Sequence, residues 1–127
     1  MTARALLAAT AAVVLVAQVA LAPAPGWSAD GQGRYKAIGY GSYHCEDYTA
    51  SYGSRRVDDS GFGDWLAGYV TGINFVVSST YDIKGVLDLD GVRDWLAAYC
   101  QHNGGDSVAK AARMFVREKY ESRQQSR

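Results

Sequence analysis

The chain has 127 residues, with thirteen basic and thirteen acidic side chains and a formal net charge of zero at pH 7. This balance argues against a nucleic-acid-binding protein, which needs a concentrated basic surface, and against electrostatic binding to a membrane. Behind an apolar leader there remains enough chain for one small domain.

The N-terminal segment has the pattern of a secretory signal peptide. One basic residue, Arg4, precedes an apolar run over Ala5–Ala22 that only Thr10 and Gln18 interrupt. The cleavage position stays open, because the best small-residue sites are each followed by a proline. We therefore expect a signal peptide over residues 1–29 and a periplasmic or secreted protein, with an uncleaved membrane anchor as the alternative.

The mature chain begins with a Gly- and Tyr-rich arm over residues 30–43, in which no periodic pattern emerges. The short segment Cys45–Ala50 is compatible with one helical turn, and the acidic residues Glu46 and Asp47 suit its start. Residues 51–63 contain Gly, Ser, Arg and Asp with little apolar content. They are therefore predicted to form a loop.

The first strong helical pattern follows this loop, with Asp64 as its predicted N-cap. Apolar residues then recur at spacings of three and four, namely Trp65, Leu66, Tyr69, Ile73 and Val76. Gly68 and Gly72 lie one turn apart on the same helix. Since glycine in a helix interior costs about 1 kcal/mol relative to alanine, we expect another backbone to pack tightly against this pair within the domain. The alternative is a helix dimer of the kind that this spacing favours in membranes.

Two further helices are predicted towards the C-terminus. Residues 78–90 connect to the first of them, and Asp90 is its predicted cap. Its apolar positions are Val92, Trp95, Leu96, Tyr99 and Cys100. Asn103–Gly105 ends this helix, and Asp106 or Ser107 starts the last one. The last helix is expected to bury Val108, Ala111, Ala112, Phe115 and Val116.

These patterns predict the fold class. Helical periodicity without alternating strands or repeats indicates an all-α protein, a small disulfide-tied helical bundle of three to four helices over residues 44–121. The polar tail over residues 122–127 is expected to be frayed.

The chain contains only two cysteines, Cys45 and Cys100. An exported protein with one such pair is expected to oxidise it, and Cys100 falls on the predicted inward face of its helix. Closing this span stabilises the fold by about 4 kcal/mol in the loop-entropy model. A zinc site is not favoured, because His44 and Cys45 are adjacent whereas structural zinc ligands are usually two to four residues apart. We therefore predict no metal and no cofactor.

Each cysteine has a histidine beside it, at His44 and His102. A disulfide would hold both imidazoles in one neighbourhood, and joint charging below about pH 6 would make them repel and loosen an interface. The hypothesis is therefore a pH-sensing pair. The alternative is two ordinary surface histidines beside helix ends.

No catalytic or calcium-binding pattern is complete. Asp88–Gly91 is similar to part of a calcium loop, but Val86 and Ala97 stand where oxygen ligands are required. No serine has a nucleophile-elbow setting, and no pair of carboxylates is marked for acid–base work. The chain is therefore not expected to be an enzyme.

Three segments resemble the HdeA/HdeB family of periplasmic acid-stress chaperones. They are Cys45–Tyr48, Val86–Val92, and Cys100 followed by a basic amphipathic helix. The resemblance implies a homodimer at neutral pH that loosens in acid and then holds unfolding client proteins without ATP. It also implies a client or dimer surface made of Trp65, Ile73, Phe75, Val76 and Val77.

A second resemblance involves Trp65–Asn74, Trp95–Cys100 and the Ala-rich last helix. These segments are similar to the periplasmic immunity proteins that neutralise type VI secretion amidases. That resemblance implies tight binding to one effector enzyme, with a loop such as residues 78–90 blocking its cleft. The two resemblances therefore predict different partners, either many unfolding clients or one folded enzyme.

Overall fold

A computed structural model of the chain describes residues 29–53 and 60–127. The predicted signal peptide, apart from Ala29, and the centre of the predicted loop over residues 51–63 lie outside the described residues. The chain divides into two units, one ending at Arg34 and one covering Tyr35–Arg127. In the first unit, the described residues form a turn in which the Asp30 carboxylate accepts hydrogen bonds from the backbone and guanidinium of Arg34.

The described residues of the second unit form four α-helices. They are α1 (Cys45–Gly53), α2 (Ser60–Val76), α3 (Leu89–His102) and α4 (Val108–Lys119). Single 3-10 turns, Gly39–Ser42 and Tyr120–Ser122, precede α1 and follow α4. The described residues contain no β-strand, only two isolated bridges. The predicted all-α fold is confirmed.

The core collects side chains from all four helices around the cysteine pair. The sulfur atoms of Cys45 and Cys100 lie 2.04 Å apart, at disulfide distance, and both residues are buried. The largest fully buried side chains around them are Phe115, Leu66, Ile83, Leu96 and Val92. The predicted inward face of α4 is confirmed, and on α3 Trp95 and Tyr99 are half-buried. The disulfide thus fastens the start of α1 to the end of α3.

Helix α2 begins earlier than predicted, at Ser60, so Asp64 is not its N-cap. The reason is tertiary packing, which overrides the poor helix propensity of this Gly-rich start. Phe62 is buried among three tyrosine rings, with ring centroids 4.8, 5.8 and 5.2 Å away. Helix α1 likewise extends beyond the predicted turn, to Gly53.

The caps of the last two helices follow the local sequence. The N-cap of α4 is Ser107, one of the two predicted choices, and its side chain accepts a hydrogen bond from the backbone of Lys110 at 3.1 Å. On α3 the cap is Asp88, whose carboxylate accepts from the backbone of Gly91 at 2.8 Å. The prediction of Asp90 as the cap is wrong, because this residue lies in the first turn.

The expected packing against Gly68 and Gly72 is also wrong. A Cβ at either position would meet no atom within 4 Å, and both residues are exposed. The physical reason is the orientation of α2, which turns the side with Leu66 and Val70 towards the core and the opposite side, with the two glycines, towards solvent. Close approaches occur instead at Gly41, Gly61 and Gly63, where a Cβ would collide with the side chains of Trp65, Tyr40 and Arg93, respectively.

Candidate functional site

The five residues predicted to form a client or dimer surface do not share one environment. Trp65 and Ile73 pack against the core, and the indole of Trp65 donates a hydrogen bond to the Ile38 carbonyl at 3.0 Å. Val77 is half-buried. Phe75 and Val76 are 90% and 68% exposed, although Val76 was expected on the inward stripe. Of the five, Phe75 and Val76 are therefore the ones whose side chains are largely open to a partner in this conformation.

A third exposed apolar residue, Val86, is not among the five predicted surface residues. It lies in the connection between α2 and α3, residues 77–88, and its side chain is fully exposed. Its neighbour Leu87 turns towards the core. The available signal was the apolar pair Val86-Leu87 after the Lys84-Gly85 turn, of which Leu87 packs against the core and Val86 does not.

The connection is tied back to the end of α2. Ser79 takes a left-handed conformation, with φ of 53°, where the chain leaves the helix. The backbone of Ile83 then donates a hydrogen bond to the side-chain oxygen of Asn74 at 2.8 Å. Since Asn74 directly precedes Phe75, this bond ties the connection that carries Val86 to the last turn of α2. We call Phe75, Val76 and Val86 the apolar end.

Turns inside the connection fix its shape. The backbone of Gly85 donates to the Asp82 carbonyl, and that of Leu87 donates to the Lys84 carbonyl, each at 3.2 Å. Ile83 lies inside the first of these turns, and its side chain is fully buried. The connection therefore has a defined conformation, with one side in the core and Val86 in solvent.

The predicted frayed tail is instead attached to this connection. The carbonyl of Gln124 accepts hydrogen bonds from the backbones of Tyr81 and Asp82, at 2.8 and 3.0 Å. The backbone of Gln124 donates in return to the Asp82 carbonyl at 2.9 Å. A distant segment satisfies these backbone groups, so the short tail has an ordered position that its polar composition does not indicate.

Arg123 adds side-chain contacts to the same attachment. Its Nε donates to the carbonyl of Ser79 at 3.2 Å and to the hydroxyl of Thr80 at 3.0 Å. The guanidinium carbon lies 3.9 Å from the centre of the Tyr120 ring, in a cation–π arrangement. We call Tyr120–Gln124 the strap.

Asp82 is the ionisable group at the centre of this attachment. Burial raises the pKa of its carboxyl, but hydrogen bonds from the ammonium and backbone of Lys84 outweigh that effect and bring the pKa below its usual value. The side chains of Lys84 and Asp82 are largely shielded from solvent, with 18% and 22% of their area exposed, respectively. The ionised form of Asp82 thus stabilises the connection.

A second carboxylate network lies beside the disulfide. Asp106 accepts hydrogen bonds from Lys110 at 2.7 Å and from the hydroxyl of Tyr99 at 2.8 Å. The bond from Lys110, followed by that from Tyr99, brings the pKa of Asp106 below its usual value. Burial, followed by the bond to Asp106, raises the pKa of Tyr99 to about 12. The Asp106 carbonyl also accepts from the backbone of Cys45 at 2.8 Å, so this residue joins α1, α3 and α4.

The two histidines lie at exposed positions near the disulfide. The ring of His44 is hydrogen-bonded to the Gly105 carbonyl, and the ring of His102 to the Ala98 carbonyl, each at 3.2 Å. The rings therefore have separate backbone partners. A pH-sensing pair stays a prediction.

Metal-binding groups, free thiols and membrane-spanning helices were also sought among the described residues. The described residues contain no free cysteine and no group of three side chains suited to a metal ion. No described helix is long and apolar enough to cross a membrane. The Cys45–Cys100 pair is compatible with an extracytoplasmic location, where disulfides form and persist.

Comparison of the chain with models of protein families, with curated proteins and with solved structures gives no match.

Proposed function

We propose that this chain is an exported protein that acts by binding other proteins through its apolar end. The main support is the exposure of three large apolar side chains in neighbouring segments, Phe75, Val76 and Val86; Ile38 on the arm is a further exposed aliphatic side chain. Exposed apolar residues in neighbouring segments of a small domain are candidates for a surface that contacts a partner. The described residues offer no comparable arrangement of nucleophiles, bases or metal ligands, so binding explains the site better than catalysis does.

The first form of this function is an ATP-independent periplasmic chaperone for proteins that unfold in acid, as the HdeA/HdeB resemblance implies. Two carboxylates, Asp82 and Asp106, stabilise the closed fold in their ionised forms. Protonating them in strong acid weakens the contacts that they make and allows more apolar surface to open. In this form the apolar end also serves as the homodimer interface at neutral pH, and the dimer dissociates in acid.

An aggregation assay tests this form. We expect the oxidised, exported protein to suppress aggregation of an unrelated acid-unfolded enzyme, such as citrate synthase, at pH 3 but much less at pH 7. Replacing Phe75 and Val86 by serine is expected to reduce the suppression, because their side chains provide the first contacts. Ile38, which is 73% exposed and lies on the arm, gives the matched control Ile38→Ser. Equal suppression by all three proteins, or none by the wild type, would contradict the chaperone.

The second form is an immunity protein that inhibits one type VI secretion amidase. The observation that favours it is the fixed shape of the connection, whose turns and ties to Asn74 and Gln124 project Val86 in one orientation. A pre-organised loop loses little conformational entropy on binding, which suits tight recognition of a single folded enzyme. This form predicts nanomolar binding to one cell-wall amidase at neutral pH and no general suppression of aggregation. A gene for such an amidase beside this one would favour it.

A further inference from the structure

The segment after α4 folds back on the domain, and its contacts are polar. Gln124 pairs with Tyr81 and Asp82 through three backbone hydrogen bonds, and Arg123 binds the start of the connection. No residue of the 3-10 turn in the strap is buried, and Gln124 is exposed. The strap is therefore fastened to the domain by hydrogen bonds, without an apolar anchor in the core, and its one cation–π contact, between Arg123 and Tyr120, lies within the strap itself.

The part of the connection next to the strap contributes to the core. Ile83 directly follows the residue paired with Gln124 and is fully buried, and its backbone is held by Asn74 on the opposite side. Leu87 packs against the same core. Two large apolar side chains therefore keep their positions in a segment that otherwise consists of turns.

The close fit of strap and connection depends on Gly85. This residue has φ of +63°, and a Cβ there would lie 2.8 Å from the backbone carbonyl oxygen of Ser122. Any other residue would meet both backbone strain and a collision with the strap. The contact between connection and strap therefore depends on two segments that are distant in sequence, the glycine at position 85 and the polar tail.

We propose that Tyr120–Gln124 is a releasable strap, which holds the connection closed over the core and whose release exposes Ile83 and Leu87 to a protein partner. This inference rests on the proposed binding function and adds its regulation, because strap opening sets how much apolar surface the protein offers. Segments fastened by a few exposed hydrogen bonds open locally at lower free energy than the buried core. Arg123 is then a positioning residue for the binding surface.

Hydrogen exchange on the full exported protein tests the strap. Two variants release it by different routes, Gly85→Ala by collision and Arg123→Ala by loss of side-chain bonds. Gly105→Ala is the matched control, since a Cβ at this position meets no atom within 4 Å. We expect exchange at Tyr81, Asp82 and Ile83 to rise by about tenfold or more in both variants, as when one or two hydrogen bonds are lost, while α3 and α4 keep their protection. A truncation after Gln124 should leave exchange unchanged, and a truncation after Ser122 should match the variants.

Unchanged exchange in the Gly85→Ala and Ser122-truncated proteins would overturn the strap. An equal rise of exchange in α3 and α4 would also overturn it, because the strap and the connection would then open only when the whole domain unfolds. The proposed function has a separate readout, suppression of citrate synthase aggregation at pH 7, which we expect the released variants to gain. If the connection opens without any gain, the strap stands and the chaperone proposal is wrong.

Discussion

At the scale of single residues, neighbours in space decide what a glycine does. Gly41 lies beneath the indole of Trp65, whereas Gly68 and Gly72 face solvent on α2. The sequence-based expectation of close packing at Gly68 and Gly72 is wrong, and it did not concern Gly41. Spacing along a helix does not identify the aromatic ring that folds over a distant turn.

Substitution by alanine separates these roles. Gly41→Ala is expected to lower the free energy of unfolding by about 1–3 kcal/mol, because a rigid ring must shift to admit the methyl group. Gly68→Ala and Gly72→Ala are expected to raise it by up to about 1 kcal/mol each, because alanine favours the helix and meets no neighbour. Chemical denaturation measures all three. A stabilised Gly41→Ala protein would contradict the packing of Trp65 over this turn.

At the scale of secondary-structure elements, α3 and α4 could be predicted closely and α1 and α2 only in part. The last two helices have strong apolar periodicity and local stop signals, and Ser107 caps α4 as one of the predicted choices. The start of α2 depends on Phe62 and its tyrosine neighbours, which local propensity does not reveal. The strap was missed because its polar residues find their partners in the connection, about forty residues earlier in the chain.

The caps give a direct test at this scale. Asp88→Ala and Ser107→Ala are each expected to cost about 1 kcal/mol of stability, since each leaves a first-turn N–H without its side-chain acceptor. Asp90→Ala is the control on the same helix turn and is expected to cost less, because Asp90 makes only an exposed bond to Arg93. Equal losses at Asp88 and Asp90 would contradict the assignment of the cap.

The Asp106 network predicts a pH dependence. Its pKa lies below the usual 3.8 in the folded protein, so the ionised carboxylate contributes stability above the unfolded pKa. That contribution is lost as the pH falls through the lower, folded pKa. Unfolding free energies measured from pH 6 to pH 2 should therefore fall less steeply in Asp106→Asn than in the wild type. Identical slopes would show that Asp106 does not contribute to acid sensitivity.

At the scale of the whole molecule, one covalent link and one open surface define the protein. The disulfide joins α1 to α3 across 55 residues, and the core forms around it. The pairing followed from the sequence, because a chain with two cysteines has one intramolecular choice. The inclusion of Val86 in the apolar end did not, since its exposure depends on how the strap and Asn74 hold the connection.

Removing the disulfide is expected to lower the free energy of unfolding of the Cys45→Ser/Cys100→Ser protein by about 4 kcal/mol in the loop-entropy model. That is a large part of the total stability of a small domain, which is about 5–15 kcal/mol. Denaturant titration of the double variant beside the oxidised wild type measures the difference. A loss below about 1 kcal/mol would mean that non-covalent packing of α1 against α3 suffices.

Site-specific photo-crosslinking tests the central proposal, protein binding through the apolar end, most directly. A benzoylphenylalanine placed at Phe75 keeps an aromatic side chain at the exposed end of α2, and the same probe at the exposed arm residue Ile38 is the control. With acid-unfolded citrate synthase at pH 3, we predict crosslinks from position 75 and few from position 38. Crosslinks of equal yield from both positions, or from position 38 alone, would contradict the account.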